Sequence, residues 1–366
     1  MSARLCRLPN LRHHTSLERG AIRGLAAALV LCAAIPAAAA PFPCHQPQLA
    51  SAGQAVFLTC GDANTIFVSS SQDGGRTFAP LTTVAKVPAL ALGMHRGPRI
   101  AVAGDTLVVT AVAGDKGGGN DGDLVAWRSG DHGRTWKGPV IVNDVRGSPR
   151  EGLHATASRG SMVVAAWLDL RATGTRLYAA ISSDAGATWG RNMLVYKSPS
   201  GTICQCCHPS LAIAPDGTIL AMFRNAVDGK RDFYLARAKA GPFGPAQKLG
   251  TGSWTLDACP MDGGGIVVDA DGHVTTVWRR EQTVFLAQPD SPEIKVGDGV
   301  NPAVASTPDG PVVAWNAAGG LVLALPHHDL LVLDGAGKFA ALVSTPNGVV
   351  VAWETADGTT TKVLDK

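Results

Sequence analysis

The amino-acid sequence predicts an all-β protein, a β-propeller of four-stranded blades with seven blades favoured. Three observations predict it: a strand pattern that ends in an aromatic residue recurs along the chain, each repeat offers about four short β-rich segments, and helical periodicity is almost absent. The 43 glycines and 23 prolines among 366 residues supply the many turns that short strands need. Radial repetition of four-stranded sheets is the propeller architecture, whereas a parallel β-helix would need much shorter repeats.

The repeats follow one another through the chain after residue 40. The two earliest copies surround residues 55–60 and 105–112, and five well-marked copies then occupy residues 162–167, 218–223, 273–278, 311–315 and 349–353. The closing aromatics of these five copies are 56, 55, 37 and 38 residues apart. The fourth unit displays its four β-rich segments at 210–214, 219–223, 233–237 and 246–249. Because the last two units are short, a six-bladed ring is the alternative.

The first 40 residues have a composition of their own. They hold five arginines against one acidic residue, Glu18, followed by an apolar run at 25–34 and four alanines at 37–40. A basic start, a short apolar stretch and a small-residue end are the parts of a secretory signal peptide, which we predict for residues 1–40. We therefore expect one propeller domain over residues 41–366, located in the periplasm or secreted.

The positive charge of the chain belongs to this segment. Residues 1–40 carry +4 of a formal net charge of +3, which leaves −1 for residues 41–366. We therefore expect no nucleic-acid partner. No later apolar stretch reaches the length that spans a bilayer, so we also expect no integral membrane segment after signal removal, and a monomer.

A second motif, S-x-D-x-G-x-T followed by Trp or Phe, occurs three times, at residues 71–78, 129–136 and 182–189. These copies resemble the Asp-box (BNR repeat) of the sialidase-like propellers of the neuraminidase superfamily. In such a turn the aspartate bonds backbone amides and the glycine accepts positive φ, so we interpret the boxes as structural. The resemblance implies that they lie away from the active face and identifies the six-bladed alternative as the sialidase fold.

Propeller topology brings charged loops together on the opposite face. There the loop before each first strand and the loop after each second strand surround the mouth of the central channel. The arginine fork suits carboxylate, sulfate or phosphate, so we predict an acidic carbohydrate or another small anion as ligand. The alternative is that these side chains pair with one another and hold adjacent blades. The predicted ligand-binding residues are Arg96, His154, Arg171, His208, Arg224, Arg231 and Arg279.

Catalysis would need further groups. Residues 97–101 resemble the R-I-P segment of the sialidases, which implies that Arg99 grips the substrate carboxylate. Glycoside cleavage requires two carboxyl groups that flank the bond, and Glu151, Asp169 and Asp262 are the candidates at the mouth. The family places its tyrosine nucleophile in the last third of the chain, where this sequence has no tyrosine.

Six cysteines lie after residue 40, and an even number in an exported chain favours disulfides. Cys44 and Cys60, at the beginning and end of the first unit, are predicted to pair and to secure the closure of the ring. The others precede the first strands of neighbouring units, and we expect one disulfide within the loop and one that links the loop to Cys259. They are Cys204, Cys206, Cys207 and Cys259.

On this interpretation the protein holds no metal and no cofactor. The cysteine loop and its neighbourhood nevertheless offer thiolate, imidazole and thioether groups, which suit copper or another soft metal. The sequence therefore supports three functions. The favoured one is an exported sialidase-like propeller that acts on or binds an acidic glycan, a glycoside hydrolase of exo-sialidase type if catalytic. The alternatives are a non-catalytic binding or assembly propeller and a periplasmic metal or redox protein.

Overall fold

Seven antiparallel sheets succeed one another along the chain in the computed structural model, which describes residues 41–366. The all-β, seven-bladed propeller is thereby confirmed, and the ring has seven blades rather than six. The predicted signal peptide, residues 1–40, lies outside the described residues. Within residues 41–366, no helix has the length and apolar character that crossing a bilayer requires.

The strands are numbered in chain order, blade by blade. Blade 1 comprises β1 (His45–Ala52), β2 (Ala55–Asp62), β3 (Thr65–Ser71) and β4 (Thr82–Lys86), and blade 2 comprises β5 (Ala89–Leu90), β6 (Arg99–Ala103), β7 (Thr106–Gly114), β8 (Asp123–Ser129) and β9 (Lys137–Ile141). Blade 3 comprises β10 (His154–Arg159), β11 (Met162–Asp169), β12 (Arg176–Ser182) and β13 (Met193–Tyr196), and blade 4 comprises β14 (Ser210–Ile213), β15 (Ile219–Arg224), β16 (Phe233–Ala238) and β17 (Gln247–Lys248). Blade 5 comprises β18 (Gly265–Val268), β19 (Val274–Arg280), β20 (Thr283–Ala287) and β21 (Ile294–Asp298), and blade 6 comprises β22 (Val300–Thr307), β23 (Gly310–Ala317), β24 (Gly320–Ala324) and β25 (Leu331–Asp334). Blade 7 comprises β26 (Lys338–Thr345), β27 (Gly348–Thr355) and β28 (Gly358–Asp365).

The second strand of each blade is an apolar run because both faces of the blade are covered by neighbouring blades. In blade 3 every residue of β11 after Met162 is buried. Val164 and Leu168 of β11 belong to the same core cluster as Ile213 and Ala221 of blade 4. A strand buried on both faces loses the polar–apolar alternation of a half-exposed strand. This explains why the repeats are recognisable in the sequence as continuous apolar segments.

The ring closes between blade 7 and the N-terminal segment. Phe42 and Thr359 exchange two backbone hydrogen bonds of 2.8 Å, which adds a bridge to the outer strand of the three-stranded blade 7. The Thr359 hydroxyl also donates to the Cys44 carbonyl at 2.8 Å. Cys44 forms a disulfide with Cys60 of β2, which confirms the predicted pair. The N-terminal segment is therefore fixed to both the first and the last blade.

The three Asp-boxes follow β3, β8 and β12, at the end of the blades opposite to the one where the first strands begin. In the first box the Ser71 hydroxyl donates to Asp73 Oδ1 at 2.6 Å and accepts from the Gly75 amide at 2.9 Å. Bonds from Ser71 and Thr77 lower the pKa of Asp73 to about 2. Gly75 has a φ of +91°, and a Cβ built on it would lie 2.5 Å from a Val350 methyl carbon of blade 7. The box is thus a structural turn that packs one blade against the next.

Candidate functional site

A cavity of about 200 Å³ occupies the central channel at the end where the first strands begin. All seven blades contribute to it, through residues at or near the start of β1, β6, β10, β14, β18, β22 and β26. No aspartate, glutamate or tyrosine is among the residues that line it. The polar side chains in its lining are those of Gln46, Gln48, His95, Arg99, Thr156, His208, Ser210 and Asn301.

His95 reaches the channel from the loop between β5 and β6. Its φ is +65°, and the preceding Met94 is also in the left-handed region at +52°. The His95 Nε2–H donates to Asn301 Oδ1 at 2.9 Å. Its ring lies 4.5 Å from the ring of His208 and packs edge-on against Phe339 at 4.8 Å. The loop therefore holds an imidazole among blades 4, 6 and 7 at the channel mouth.

Arg99 is the positive charge of this cavity, and only 8% of its surface is exposed. Its guanidinium donates to the carbonyls of Gly97 at 3.2 Å, of Pro98 at 3.1 Å and of His95. Among residues 41–366 no ion pair to Arg99 is formed. Burial lowers the pKa of Arg99 to about 10, with no acidic group to raise it again. The charge thus faces the channel without an anionic partner.

The two channel histidines are electrically neutral near pH 7. Burial lowers the pKa of His95 and lowers that of His208 well below its usual range. Arg99 also opposes a second positive charge on either ring, whereas the bond to Asn301 and the charge of Asp262 act in the opposite direction on His95. Nδ1 of His208 is buried without a hydrogen-bond partner in the structure. Neutral imidazoles offer both a donor and an acceptor to a ligand.

Asp262 lies next to the mouth but is bound by two arginines. Arg224 donates to Oδ1 at 3.1 Å, and Nε of Arg279 lies 2.7 Å from Oδ2. Asp262 and Arg224 are each 1% exposed. The guanidinium carbons of both arginines lie over the ring of Trp254, at 5.3 Å and 5.2 Å from its centroid. Arg224 and Arg279 therefore converge on this carboxylate and not on Arg99.

Two other candidate carboxylates are also paired. Asp169 is fully buried and accepts from Arg171 Nε at 2.8 Å and from the Trp167 indole at 2.7 Å. Glu151 lies 3.7 Å from Arg96, which also donates to the Glu151 backbone carbonyl. None of these side chains lines the cavity. These ion pairs hold the loops of blades 2 and 3 in place.

The remaining polar candidates, His154 and Arg231, lie outside the cavity as well. His154 is fully buried, and its Nε2 lies 3.1 Å from the Thr110 hydroxyl of blade 2. Burial is the main cause that lowers its pKa to about 3, and the positive charge of Arg99 adds to it. Arg231 donates to the Leu256 carbonyl at 3.2 Å.

Four cysteines converge beside the mouth without forming disulfides in the structure. Cys204 Sγ lies 3.0 Å from Cys207 Sγ and 3.7 Å from Cys206 Sγ. Bonds from Cys206 and Cys207 hold the pKa of Cys204 well below its usual range, whereas burial raises the pKa of Cys207. Burial and the Cys206 thiol raise the pKa of Cys259 to about 11. Of the disulfides predicted from the sequence, the structure therefore forms only Cys44–Cys60.

The position of a residue in the repeat predicts Arg99, His208 and Asn301 at the mouth, and the structure places all three in the lining of the cavity. Asn301 is the second residue of β22, the first strand of blade 6. The sequence did not predict His95, which lies in the same loop as Arg96 and has no motif that distinguishes it.

No protein-family model and no curated protein matches the sequence. Solved structures are similar at the level of the fold. An α-L-arabinanase from Penicillium chrysogenum, complexed with arabinobiose, has a TM-score of 0.52 and 15% identity over 75% of this chain and 89% of its own. A leech intramolecular trans-sialidase, complexed with 2,7-anhydro-Neu5Ac, has a TM-score of 0.52 and 11% identity over 89% of this chain and 68% of its own.

A third similar structure is YCF48 bound to a D1 peptide. Its TM-score is 0.51, with 15% identity over 89% of this chain and 94% of its own. Glycosidases and a peptide-binding protein thus share this propeller fold. At these identities the similarity shows the fold alone.

Proposed function

We propose that the protein binds the carboxylate of an acidic sugar, or another small anion of that size, at the mouth of the channel, and that it does not hydrolyse glycosides. The observation that carries this proposal is the buried Arg99, which faces the cavity without an acidic partner. A buried charge is costly unless it is paired. An anion entering the cavity supplies the partner that the protein does not.

The neighbouring groups suit the same ligand. His95, His208 and Asn301 bring hydrogen-bonding side chains to one cavity with Arg99. A charge-assisted hydrogen bond is about twice as strong as a neutral one. The volume of about 200 Å³ is below the 300–1,000 Å³ or so typical of drug-sized ligands, which favours an occupant no larger than a single sugar.

The carboxylates argue against hydrolysis. Glycosidases need one carboxyl group that is protonated at the working pH and a second group to attack or to activate water. Asp262 and Asp169 are instead each held in ion pairs with arginine side chains. Neither lines the cavity, and no tyrosine does. The constellation supports recognition of an anion rather than bond cleavage.

Export is part of this proposal. The disulfide between Cys44 and Cys60 suits an oxidising compartment, and the N-terminal sequence pattern is that of a signal peptide. A binding protein in the periplasm or outside the cell would encounter free acidic sugars.

Titration calorimetry with N-acetylneuraminate, glucuronate and neutral glucose tests the proposal. We expect saturable binding of an anion, no binding of glucose, and a loss of about 10- to 100-fold in affinity in Arg99→Gln, since a hydrogen bond to a charged group contributes about 1.5–3 kcal/mol. Affinity should rise as pH falls, because a bound anion favours protonation of His95 and His208. Arg159→Gln, an exposed arginine at the other end of β10, is the matched control.

A second variant, His208→Gln, guards against misfolding of Arg99→Gln, because Arg99 also holds the loop that carries His95. His208→Gln should weaken binding of the same anion and leave the melting temperature close to that of the control. Absence of anion binding, or equal affinity in Arg99→Gln and the control, would refute the proposal. Turnover of a fluorogenic sialoside by the purified parent protein would instead establish a hydrolase.

A further inference from the structure

The thiols of the loop at residues 204–207 form a three-way contact that a disulfide does not explain. Cys204 Sγ is 3.0 Å from Cys207 Sγ and 3.7 Å from Cys206 Sγ, and all three sulfurs lie within 4.8 Å of one another. Cys259 lies close enough for its thiol to interact with that of Cys206. A disulfide joins two sulfurs and gives no reason for a third to approach the same point.

The backbone holds the sulfurs in this arrangement. Cys204 and Cys207 have C-x-x-C spacing, and the Cys206 N–H lies close enough to Cys204 Sγ to lower the pKa of that thiol. The Cys204 N–H donates to the carbonyl of Arg224 at the end of β15, at 3.1 Å. Cys204 and Cys207 are 1% and 2% exposed, whereas Cys206 is half-buried. The loop therefore presents three thiols from a fixed turn, with access from the side of Cys206 and Cys259.

We propose that Cys204, Cys206 and Cys207 bind one thiophilic d¹⁰ metal ion, Cu(I) or Zn(II). Metal–sulfur bonds of about 2.3 Å in a tetrahedral site place the sulfurs about 3.8 Å apart. The contact of 3.7 Å between Cys204 and Cys206 already has this spacing, and Cys207 needs to move by less than about 1 Å to reach it. Thiolates are the ligands that select these soft ions.

The charges around the loop suit a thiolate centre. Three thiolates with Zn(II) carry a net charge of −1, and with Cu(I) a net charge of −2. Arg224 acts on Cys204 and Cys207, and Arg231 acts on Cys259, as nearby positive charges. Each thiol that binds loses its proton to solvent. Cys259 is exposed and lies outside the group of three mutually close sulfurs, so it would have to move towards them to become a fourth ligand.

This site is separate from the proposed anion cavity, since no cysteine lines that cavity. Its test can therefore fail while anion binding succeeds, and the reverse. The link between them is His208, which follows Cys207 in the chain and lies in the lining of the cavity.

The first experiment determines which cysteines are free thiols and which are in disulfides in the full chain as isolated. Alkylation in denaturant with a chelator and without a reductant, followed by peptide mass spectrometry, should modify Cys204, Cys206 and Cys207. Cys44 and Cys60 are the internal reference and should stay unmodified. Elemental analysis of the same sample, or addition of Zn(II) or Cu(I) to metal-free protein, should give one equivalent of ion.

The second experiment uses cysteine variants. Cys206 is half-buried, so Cys206→Ser is the least demanding of these substitutions for folding. It should lower metal affinity by more than about 100-fold, since the loss of a residue that only hydrogen-bonds to a ligand already lowers metal affinity by about 10- to 100-fold. Cys259→Ser distinguishes four thiolates from three, and the charge-transfer bands of bound Co(II) report the same number. Loss of Co(II) bands in Cys206→Ser with unchanged circular dichroism excludes a folding effect.

Two results would overturn the metal site. One is isolation of the protein with Cys204 and Cys207, or Cys206 and Cys259, joined as disulfides, which is one of the pairings that the sequence left open. The other is a protein with free thiols that binds neither Zn(II) nor Cu(I), or that binds them equally well after Cys206→Ser.

Discussion

Replacing Asp262 by asparagine tests whether this carboxylate is a structural partner or a catalytic group. The substitution keeps the shape of the side chain and removes the charge that Arg224 and Arg279 share at 3.1 Å and 2.7 Å. Both arginines are at least nine-tenths buried. Removal of one partner of a buried ion pair costs about 3–5 kcal/mol, because the remaining charge stays desolvated. We expect Asp262→Asn to destabilise the protein by this amount.

Urea unfolding monitored by tryptophan fluorescence measures the effect. With a slope of about 2–3 kcal/mol per molar urea, the midpoint should fall by about 1–2 M. Asp257→Asn, an exposed aspartate five residues away, is the matched control and should change the midpoint little. Adding Arg279→Met to Asp262→Asn removes one uncompensated charge and should recover about 1–3 kcal/mol. A change below about 1 kcal/mol in Asp262→Asn would refute the structural role.

Three further predictions concern stability. His154 has a pKa of about 3 in the folded protein against an ordinary 6.5. The stability that the buried neutral imidazole contributes is therefore fully present above pH 6.5, and it is lost as the pH falls towards 3, at about 1.4 kcal/mol per pH unit. His154→Asn should reduce the pH dependence of the unfolding free energy, measured by urea titrations between pH 3 and 6.5, by about 1.4 kcal/mol per pH unit, and an unchanged pH dependence would contradict this account. Removing the Cys44–Cys60 disulfide, which closes a sequence separation of 16, should cost about 3 kcal/mol, measured as the difference in unfolding free energy between Cys44→Ala/Cys60→Ala and the parent. Gly75→Ala places a methyl group 2.5 Å from Val350 at a φ of +91°, whereas Gly201→Ala meets open space at a φ of +90°. The first should cost about 1–3 kcal/mol more than the second by thermal unfolding, and equal costs would mean that the blade contact is unimportant.

The blade repeats and the Asp-boxes were predictable because their signals are local. A strand between two blades must be apolar on both faces, and the turn after β3 uses Ser71, Asp73 and Gly75 within five residues. The propeller topology then predicted Arg99 and His208 at the mouth, since both lie at or just before the start of a strand that lines the central channel. The pairing of Cys44 with Cys60 followed from their positions in the first unit and is confirmed.

The three-stranded seventh blade was not predictable from the repeat alone. Its outer edge is extended by Phe42, more than 300 residues earlier in the chain, and only closure of the ring brings these residues together. The short spacing of the last units reflects short connections, such as the turn from Arg280 to Thr283 and the step from Asp298 to Val300 between two blades, and not the loss of a blade.

The sequence by itself determined the all-β architecture, the number of repeats and the face on which charges gather. The tertiary structure decided which of those charges are neutralised. Arg224 and Asp262 are 38 residues apart and belong to neighbouring blades, so blade packing alone turns a candidate acid into the buried partner of two arginines. Arg99 has no such partner because no acidic residue of the surrounding blades lines its cavity. Pairing of buried charges depends on distances of a few ångströms between remote segments, which residue spacing along the chain does not encode.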